Sequence, residues 1–289
     1  MKGRESSTLY IIGNGFDLFH GLESKYEDFY FWLNANNHKE FSRNIQKVFP
    51  KLDTNPNFLW SNFEDAMAEY DLNKLYEVFY VEPENHIWAP EEWKKTADKI
   101  NSICKDLRPL MKEWAAEIPT NEATPKLSLS KESWYLTFNY TMLLEDVYDI
   151  PKDHICHIHG CAKTDDTILV GHDRQVSVEH IYSDGIEDEY SKREIAKVMN
   201  GFVKKKDKMI ASNQVFFDSI KKVSHVVVLG HSLSGIDLLY FFRVLNIIQP
   251  NSNWHFSKHQ GCDENNIDVF VRHDSDNQKR IANHWIFNF

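Results

Sequence analysis

Two kinds of apolar pattern divide the chain. Leu9 to Ile12 is a short β-type run that ends in Gly-Asn-Gly, which predicts a buried strand followed by a tight turn. From Ser24 to about Pro119 the apolar residues recur with a helical period and include many aromatics, and no strand is predicted there. Beyond Ser130 the pattern predicts further strands at Trp134–Phe138, His154–Ile158, Thr167–Val170, Val223–Leu229, Asn253–Phe256 and Trp285–Phe289.

This order of elements predicts an α/β fold. Continuous apolar runs such as Val226 to Leu229 suit parallel strands that are covered on both faces, and helical segments between the strands complete βαβ units. We therefore expect one domain over residues 1–289, built on an open, mostly parallel, Rossmann-like sheet. A large helical insertion follows the first strand at about 24–125, and Ser24 to Glu27 fit a capping box at the start of one of its helices.

Composition narrows the class of protein. The 289 residues suffice for a full hydrophobic core, and the net charge of −10 argues against broad, non-specific binding to nucleic acid. No stretch approaches the ~20 apolar residues that span a bilayer, and Met1 to Ser7 lack the pattern of a signal peptide. We expect a cytoplasmic protein with reduced thiols at its scattered cysteines, Cys104, Cys156, Cys161 and Cys262.

The first strand ends in the run Gly13-Asn14-Gly15-Phe16-Asp17. Ligands bind beyond the carboxyl ends of strands in open α/β sheets, so this turn is a candidate binding site. Its glycines let the backbone approach a phosphate and leave amide groups to donate to it, so Gly15→Val is expected to fold but to lose nucleotide binding. Leu18 replaces the third glycine of the dinucleotide fingerprint. A tight turn without a ligand, with Asp17 as a helix cap, is the alternative.

Two further strand ends supply candidate catalytic side chains. Asn139 follows a buried strand in the run Thr137 to Thr141, where its side chain offers both a donor and an acceptor or caps an ordinary turn. His159 stands before Gly160 at the end of the next predicted strand, where a side chain meets the ligand crevice. His157 is expected to lie at a more interior position of that strand.

The same histidine-rich strand also raises the possibility of a metal site. Alternation along a strand places His157 and His159 on one face, which is an arrangement that can hold zinc, with Cys161 beyond a glycine. No second acidic or cysteine pair has a spacing that completes the site. We therefore expect no metal.

The fourth candidate strand end is Gly230-His231-Ser232-Leu233-Ser234-Gly235-Ile236-Asp237. It resembles the nucleophile elbow of α/β-hydrolases, which would make Ser232 a nucleophile. Ser234 occupies the place of the second glycine of that elbow, and little chain follows in which to place the acid and the histidine. A phosphate-binding turn is the simpler interpretation. Its expected binding residues are Gly230, His231, Ser232 and Asp237.

Together these turns closely resemble the phage abortive-infection AbiH family. The most specific part is the first strand and its turn, Leu9 to Asp17, followed by His20-Gly21-Leu22. The resemblance spans Tyr10 to about Tyr240 and implies a role in antiviral defence. The shorter stretches that also match the family are Asn62-Phe63-Glu64, Thr137–Thr141, His157–Gly160 and Gly230–Asp237.

The same order of motifs is similar, more distantly, to the sirtuin NAD-binding fold. That similarity implies a sirtuin-like sheet on which the turn from Gly13 to Asp17 meets the dinucleotide. It also implies that Asn139 and His159 flank the nicotinamide ribose, and that Gly230 to Ser232 hold phosphate or ribose. The chain has no Cys-x-x-Cys pair with which to build the zinc ribbon of the sirtuin deacetylases, which argues against deacetylation.

The resemblance therefore implies a defence effector that hydrolyses NAD. In this hypothesis Asn139 positions water or a ribose hydroxyl, and His159, a residue type with a pKa near ~6.5, accepts a proton. The alternatives are a nucleotide-sensing module that acts through a partner, and a serine hydrolase or metal-dependent nuclease. The expected partners are NAD or a related nucleotide, a phage-derived trigger or partner protein, and further copies of the chain, with no membrane.

Overall fold

The computed structural model of the protein describes residues 8–52, 63–84, 89–183, 185–233, 235–258, 263–277 and 279–289. The chain divides into two compact units. The first comprises Met1–Ser24, Ala115–Ile168 and Lys205–Phe289, and the second comprises Lys25–Trp114 and Leu169–Lys204. Of the residues singled out in the sequence, Met1 to Ser7, Asn62, Ser234 and Cys262 lie outside the described ranges.

The first unit is built on a six-stranded, all-parallel open sheet, which confirms the predicted Rossmann-like α/β class. The strands follow the order β3-β2-β1-β4-β5-β6 across the sheet. Their bounds are β1 Thr8–Ile12, β2 Trp134–Thr137, β3 Ile155–His157, β4 His225–Leu229, β5 Ser252–Lys258 and β6 Ile281–Asn288.

The direction of winding reverses at β1, which pairs with β2 on one side and with β4 on the other. Ile12 is in register with Thr137 of β2 and with Leu229 of β4, so these three strands end at one level. Parallel strands share a carboxyl edge, and ligands of such sheets bind there, beside the point of reversal. The fold therefore brings the predicted strand-end motifs to one edge.

Apolar strand residues are buried because helices cover the sheet. Leu9, Ile11, Val226 and Val228 have exposures of 0%, as expected for central parallel strands. They belong to a core of aliphatic and aromatic side chains that includes Trp254. The helices of this unit are α1 Asn14–Phe19, α9 Leu143–Tyr148, α11 Lys206–Ser212, α12 Gln214–Ser219, α13 Leu238–Ile247 and α14 Asp263–Asn277.

The second unit is helical in its described residues, as the sequence pattern predicts, with one isolated parallel bridge between His172 and Val203. Glu64 forms an ion pair with the fully buried Lys204 at 2.7 Å, so this stretch of the resemblance has a structural role within the unit. The helices are α2 Tyr26–Ala35, α3 Lys39–Val48, α4 Phe63–Ala68, α5 Leu72–Phe79, α6 Pro90–Trp93, α7 Lys95–Cys104, most of α8 Leu107–Glu117, and α10 Ile186–Asn200.

Two local predictions are wrong. Residues 167–170 form no strand, because Thr167 and Ile168 lie against the backbone of Gly160 instead of pairing with the sheet. Within this run Ile168 and Val170 are buried, whereas Thr167 is exposed. The capping box is displaced by one residue, since the backbone N–H of Lys25 donates to the carboxylate of Asp28 at 2.8 Å. Within the described ranges, no helix has the length and apolar character that crossing a membrane requires.

Candidate functional site

The turns after β1 and β4 interlock through their backbones. The N–H of Gly13 donates to the carbonyl of Leu229 at 2.9 Å, and the N–H of Gly15 donates to the carbonyl of Gly230 at 2.8 Å. A Cβ on Gly15 would lie 2.7 Å from the Cα of Gly230. The glycines are therefore required by contact between the two turns, and the predicted approach to a phosphate stays a prediction.

The residues of the first turn point in different directions. The N–H of Phe16 donates to the carbonyl of Gly13, and its fully buried ring packs against His20 with centroids 4.5 Å apart. The amides of Gly13, Gly15 and Phe16 are thus already used within the protein. Asn14 is exposed, and its side-chain amide donates to the carbonyl of Ser24 at 2.9 Å. A ligand contact at this turn stays a prediction. Asn14 is the residue of the turn that is exposed to meet a ligand.

Asp17 points inward and is 1% exposed. Its carboxylate accepts hydrogen bonds from the Nδ2 of Asn139 at 2.8 Å and from the hydroxyl of Thr141 at 2.7 Å. It lies within α1, so the proposed cap at the start of that helix is not its role. The structure thus joins the first turn to the strand end after β2.

Asn139 is held at every polar atom but one. Its backbone N–H donates to the hydroxyl of Thr137 at 3.1 Å, and its Nδ2 also donates to the carbonyl of Gly13 at 3.2 Å. Its backbone carbonyl faces the Nδ1 of His157 at 3.1 Å. The side-chain Oδ1 is buried and has no hydrogen-bond partner among the described residues. Because both acceptors fix the Nδ2, this Oδ1 is an oriented acceptor for a donor group.

His157 serves as a support for Asn139. Its Nε2 lies 2.9 Å from a carboxylate oxygen of Glu145, while its Nδ1 faces the carbonyl of Asn139. Both ring nitrogens therefore face acceptor oxygens, a backbone carbonyl and a carboxylate. A ring that is held at both nitrogens has none left for a substrate.

Burial of the Asp17 carboxyl raises its pKa from 3.8 to about 6. Hydrogen bonds from Thr141 and Asn139 and the charge of His157 oppose this effect only in part. The folded protein therefore takes up a proton at Asp17 more readily than the unfolded chain does. This contribution to stability is complete below about pH 4 and is lost as the pH rises through about 6.

Asp17→Asn removes this titration, so its stability is expected to respond less to pH than that of the wild type. A rise of about two pKa units corresponds to about 3 kcal/mol. The free energy of unfolding of the wild type, measured relative to Asp17→Asn, should fall by up to that amount between about pH 4 and pH 7. Urea unfolding of both proteins at the two pH values measures the difference. An equal response of both would show that Asp17 titrates normally.

A second cluster lies at the same edge and centres on Asp237. Its two carboxylate oxygens lie 3.5 Å from the Nε2 of His159 and 3.6 Å from the Nε2 of His231. The Nδ1 of His231 accepts the N–H of Leu233 at 2.9 Å, so the Nε2 of a neutral ring carries the proton and faces Asp237. The three side chains are buried, at exposures of 4%, 6% and 7% for His159, His231 and Asp237.

Aromatic rings surround this histidine cluster. Phe138 packs edge-on against His159 and His231, with ring centroids 5.1 and 4.3 Å away. His159 also packs against Tyr240 at 5.8 Å. His157 lies within β3 and His159 beyond its end, as expected, although the side chain of His157 is the more exposed of the two, at 12% against 4%. His159 and Asn139 are both buried.

The turn after β4 does not form a nucleophile elbow. β4 ends at Leu229 and α13 begins only at Leu238, so the connection is not a sharp strand-to-helix turn. Ser232 is exposed, and its carbonyl accepts the side-chain amide of Asn266 at 2.8 Å. Left-handed backbone occurs at Gly230 and Leu233, with φ of 64° and 50°, and not at Ser232. These observations argue against the serine hydrolase alternative.

His157 and His159 do not share a strand face. β3 ends at His157, and the turn that follows, closed by the N–H of Gly160 donating to the carbonyl of His157 at 2.9 Å, carries His159 in another direction. One histidine therefore meets Glu145 and the other meets Asp237. The part of the chain that the structure describes contains no cluster of three or more His, Cys, Asp or Glu side chains arranged for a metal ion.

The structure thus brings together most of the predicted site residues and adds three. Gly13, Asp17 and Asn139 meet in one network, and His159, His231 and Asp237 meet in another. Ser232 and the ring of Phe16 belong to neither. The added residues are Thr141, His157 and Glu145. Thr141 follows Asn139 closely in the sequence, which is a signal, whereas nothing in the sequence marks Glu145.

Comparison with known proteins shows the family of the chain. The family model described as bacteriophage abortive infection AbiH matches residues 9–258. No curated protein and no solved structure matches the chain. The matched range includes both polar networks, β1 from Leu9 onward, and the strands β2 to β5.

Proposed function

We propose that this chain, which belongs to the bacteriophage abortive infection AbiH family, acts by hydrolysing NAD to nicotinamide and ADP-ribose. The family match indicates a role in phage abortive infection. The finer proposal concerns the reaction. It draws on the strand order of the sheet, on the two networks at its carboxyl edge, and on the distant similarity of the motifs to the sirtuin NAD-binding fold.

The Oδ1 of Asn139 is the observation that carries the proposal. It is a buried acceptor of fixed direction, at the edge of the sheet where α/β folds bind ligands, and no described residue donates to it. Leaving such an atom unpaired costs about 1–3 kcal/mol. A water molecule or a ribose hydroxyl supplies the donor that this oxygen needs, and both are present in the hydrolysis of a nucleoside bond.

The proposed reaction breaks the bond between the pyridinium nitrogen of NAD and C1′ of its ribose. The electron pair of that bond moves to the ring nitrogen, so nicotinamide leaves as a neutral molecule. The oxygen of water forms the new bond to C1′ and releases one proton. The transition state resembles an oxocarbenium ion, as in other glycoside cleavages. Asn139 is proposed to hold the water or a ribose hydroxyl through its Oδ1.

His159 is the proposed acceptor of the released proton. Its Nε2 faces Asp237 at 3.5 Å, and this carboxylate favours the imidazolium that forms when the ring takes up a proton. The aromatic rings of Phe138 and Tyr240 exclude water from much of the imidazole surface. This environment strengthens the interaction between the histidine and the carboxylate.

The phosphate groups of NAD must be contacted by protein groups other than the backbone amides of the first turn. The amides of Gly13, Gly15 and Phe16 donate within the protein, so they do not provide a phosphate cradle. Among the described residues of the two interlocked turns, the exposed polar ones are Asn14 and Ser232. We propose that these two side chains are the ones that contact the dinucleotide outside the buried networks.

The experiment is incubation of the purified full-length chain with NAD, followed by chromatography. Equal amounts of nicotinamide and ADP-ribose are expected, formed about 10²–10⁴-fold more slowly by Asn139→Ala. Calorimetric binding of NAD without cleavage would replace hydrolysis by the nucleotide-sensing alternative. The absence of both binding and cleavage, repeated in extracts of phage-infected cells that supply a trigger, would overturn the proposal.

A further inference from the structure

We propose that Asp17 is a positioning residue that fixes the direction of the Asn139 amide, and that it does so without contacting the substrate. This inference rests on the proposed function of Asn139. Asp17 accepts from the Nδ2 of Asn139 at 2.8 Å and is 1% exposed, so a ligand has no open path to its carboxylate. Asp17 can therefore affect a reaction only indirectly, by holding the residues to which it is hydrogen-bonded.

The geometry of the amide shows why an acceptor is needed at this place. Asn139 has two hydrogens on its Nδ2, and the acceptors that hold them are Asp17 and the carbonyl of Gly13. An amide that rotated by half a turn would point its oxygen at both acceptors, which repels. The carboxylate of Asp17 therefore selects the rotamer in which the Oδ1 faces away from the network.

Thr141 and His157 complete the support. The hydroxyl of Thr141 donates to the second oxygen of Asp17 at 2.7 Å and so holds the carboxylate in place. His157, held by Glu145, faces the backbone carbonyl of Asn139 at 3.1 Å. Side chain and backbone of Asn139 are thus fixed from separate directions. A reacting water that donates to the Oδ1 is therefore held in a fixed position as well.

The test compares Asp17→Leu with a matched buried carboxylate, Asp274→Leu. Asp274 is also 1% exposed and accepts backbone N–H groups of Arg280 and Ile281 at 3.0 Å. It adjoins the start of β6, at the opposite edge of the sheet. Asp17→Leu is expected to lower kcat for NAD about 10²-fold with KM nearly unchanged. Asp274→Leu should lose stability but retain kcat.

Positioning also predicts a change in the choice of nucleophile. With methanol added, NAD cleavage yields methyl ADP-ribose beside ADP-ribose, because the methanol oxygen bonds to C1′ and its proton is released. A loosened Asn139 discriminates less between the two nucleophiles, so Asp17→Leu should raise the methyl product fraction and Asp274→Leu should not. The double variant Asp17→Leu/Asn139→Ala should be no slower than Asn139→Ala alone. Multiplying effects would overturn the proposal.

Two further measurements keep the proposal testable if Asp17→Leu does not fold, or if NAD is not the substrate. Asp17→Asn keeps an acceptor for Asn139 and donates to Thr141, so it should fold and retain more kcat than Asp17→Leu. In NMR spectra of protein with ¹⁵N-labelled asparagine, the side-chain amide hydrogens of Asn139 should exchange slowly with solvent in the wild type and in Asp274→Leu. It should exchange fast in Asp17→Leu. Slow exchange there would refute positioning whether or not NAD is the substrate.

Discussion

Gly230→Ala is expected to unfold the protein under conditions in which Gly21→Ala leaves it folded. A Cβ on Gly230 would lie 2.2 Å from the backbone nitrogen of Phe16 and 2.5 Å from the carbonyl carbon of Gly15. Both neighbours are backbone atoms of the first turn and cannot rotate away. Gly230 also has φ of +64°, a conformation that L side chains rarely adopt.

The expected loss in the free energy of unfolding is about 4 kcal/mol or more, a size that marks overpacking and strain together. Typical domains have only about 5–15 kcal/mol in total, so the variant should be largely unfolded at modest temperature. Thermal and urea unfolding of the purified variant measure the loss. A fully folded Gly230→Ala would show that the two turns do not interlock as described.

Gly21→Ala is the matched control for conformation. Gly21 has φ of +84°, and a Cβ there would meet nothing within 4 Å. Its substitution therefore carries the backbone cost alone, about 1–2 kcal/mol. The difference between the two variants isolates the steric contact between turns. By the same contact, Gly15→Val should impair folding, which corrects the expectation that it would fold and lose only nucleotide binding.

Asn139→Ala and His159→Ala are each expected to lower NAD turnover by about 10²–10⁴-fold, the usual effect of one positioned catalytic group. The Asn139→Ala variant lacks the Oδ1 acceptor that is proposed to hold the nucleophile. The His159→Ala variant lacks the imidazole that faces Asp237. The double variant should be little slower than the slower single variant, because groups that act in one step are not additive. Steady-state rates of nicotinamide release measure all three.

His154→Ala is the matched histidine control. His154 is partly buried beside the amino end of β3, and its Nδ1 lies 3.2 Å from the carbonyl of Ser133. It is therefore at the opposite edge of the sheet from His159, and its loss should leave turnover unchanged. Since Asn139 and His159 are both buried, circular dichroism and thermal unfolding must accompany the kinetics. Wild-type turnover in a folded His159→Ala would end its assignment as the proton acceptor.

The strands of the sheet and the helical character of the insertion were predictable from local pattern. Continuous apolar runs mark strands that are buried on both faces, and β1, β2 and β4 lie where those runs occur. Thr167 to Val170 shows the limit of that signal. Ile168 and Val170 are apolar and buried, but whether a buried segment pairs with a sheet depends on the space left by distant neighbours.

The edge of the candidate site also followed from the sequence, because parallel strands end at one edge and their polar strand ends must meet there. Which side chains touch was decided by the tertiary structure alone. Asp17 binds Asn139 although 122 positions separate them in the sequence. Gly15 must lack a side chain because the backbone of Gly230 lies against it. Local sequence sets backbone preference and burial, whereas hydrogen-bond partners and steric contacts are set by segments that meet only when the chain has folded.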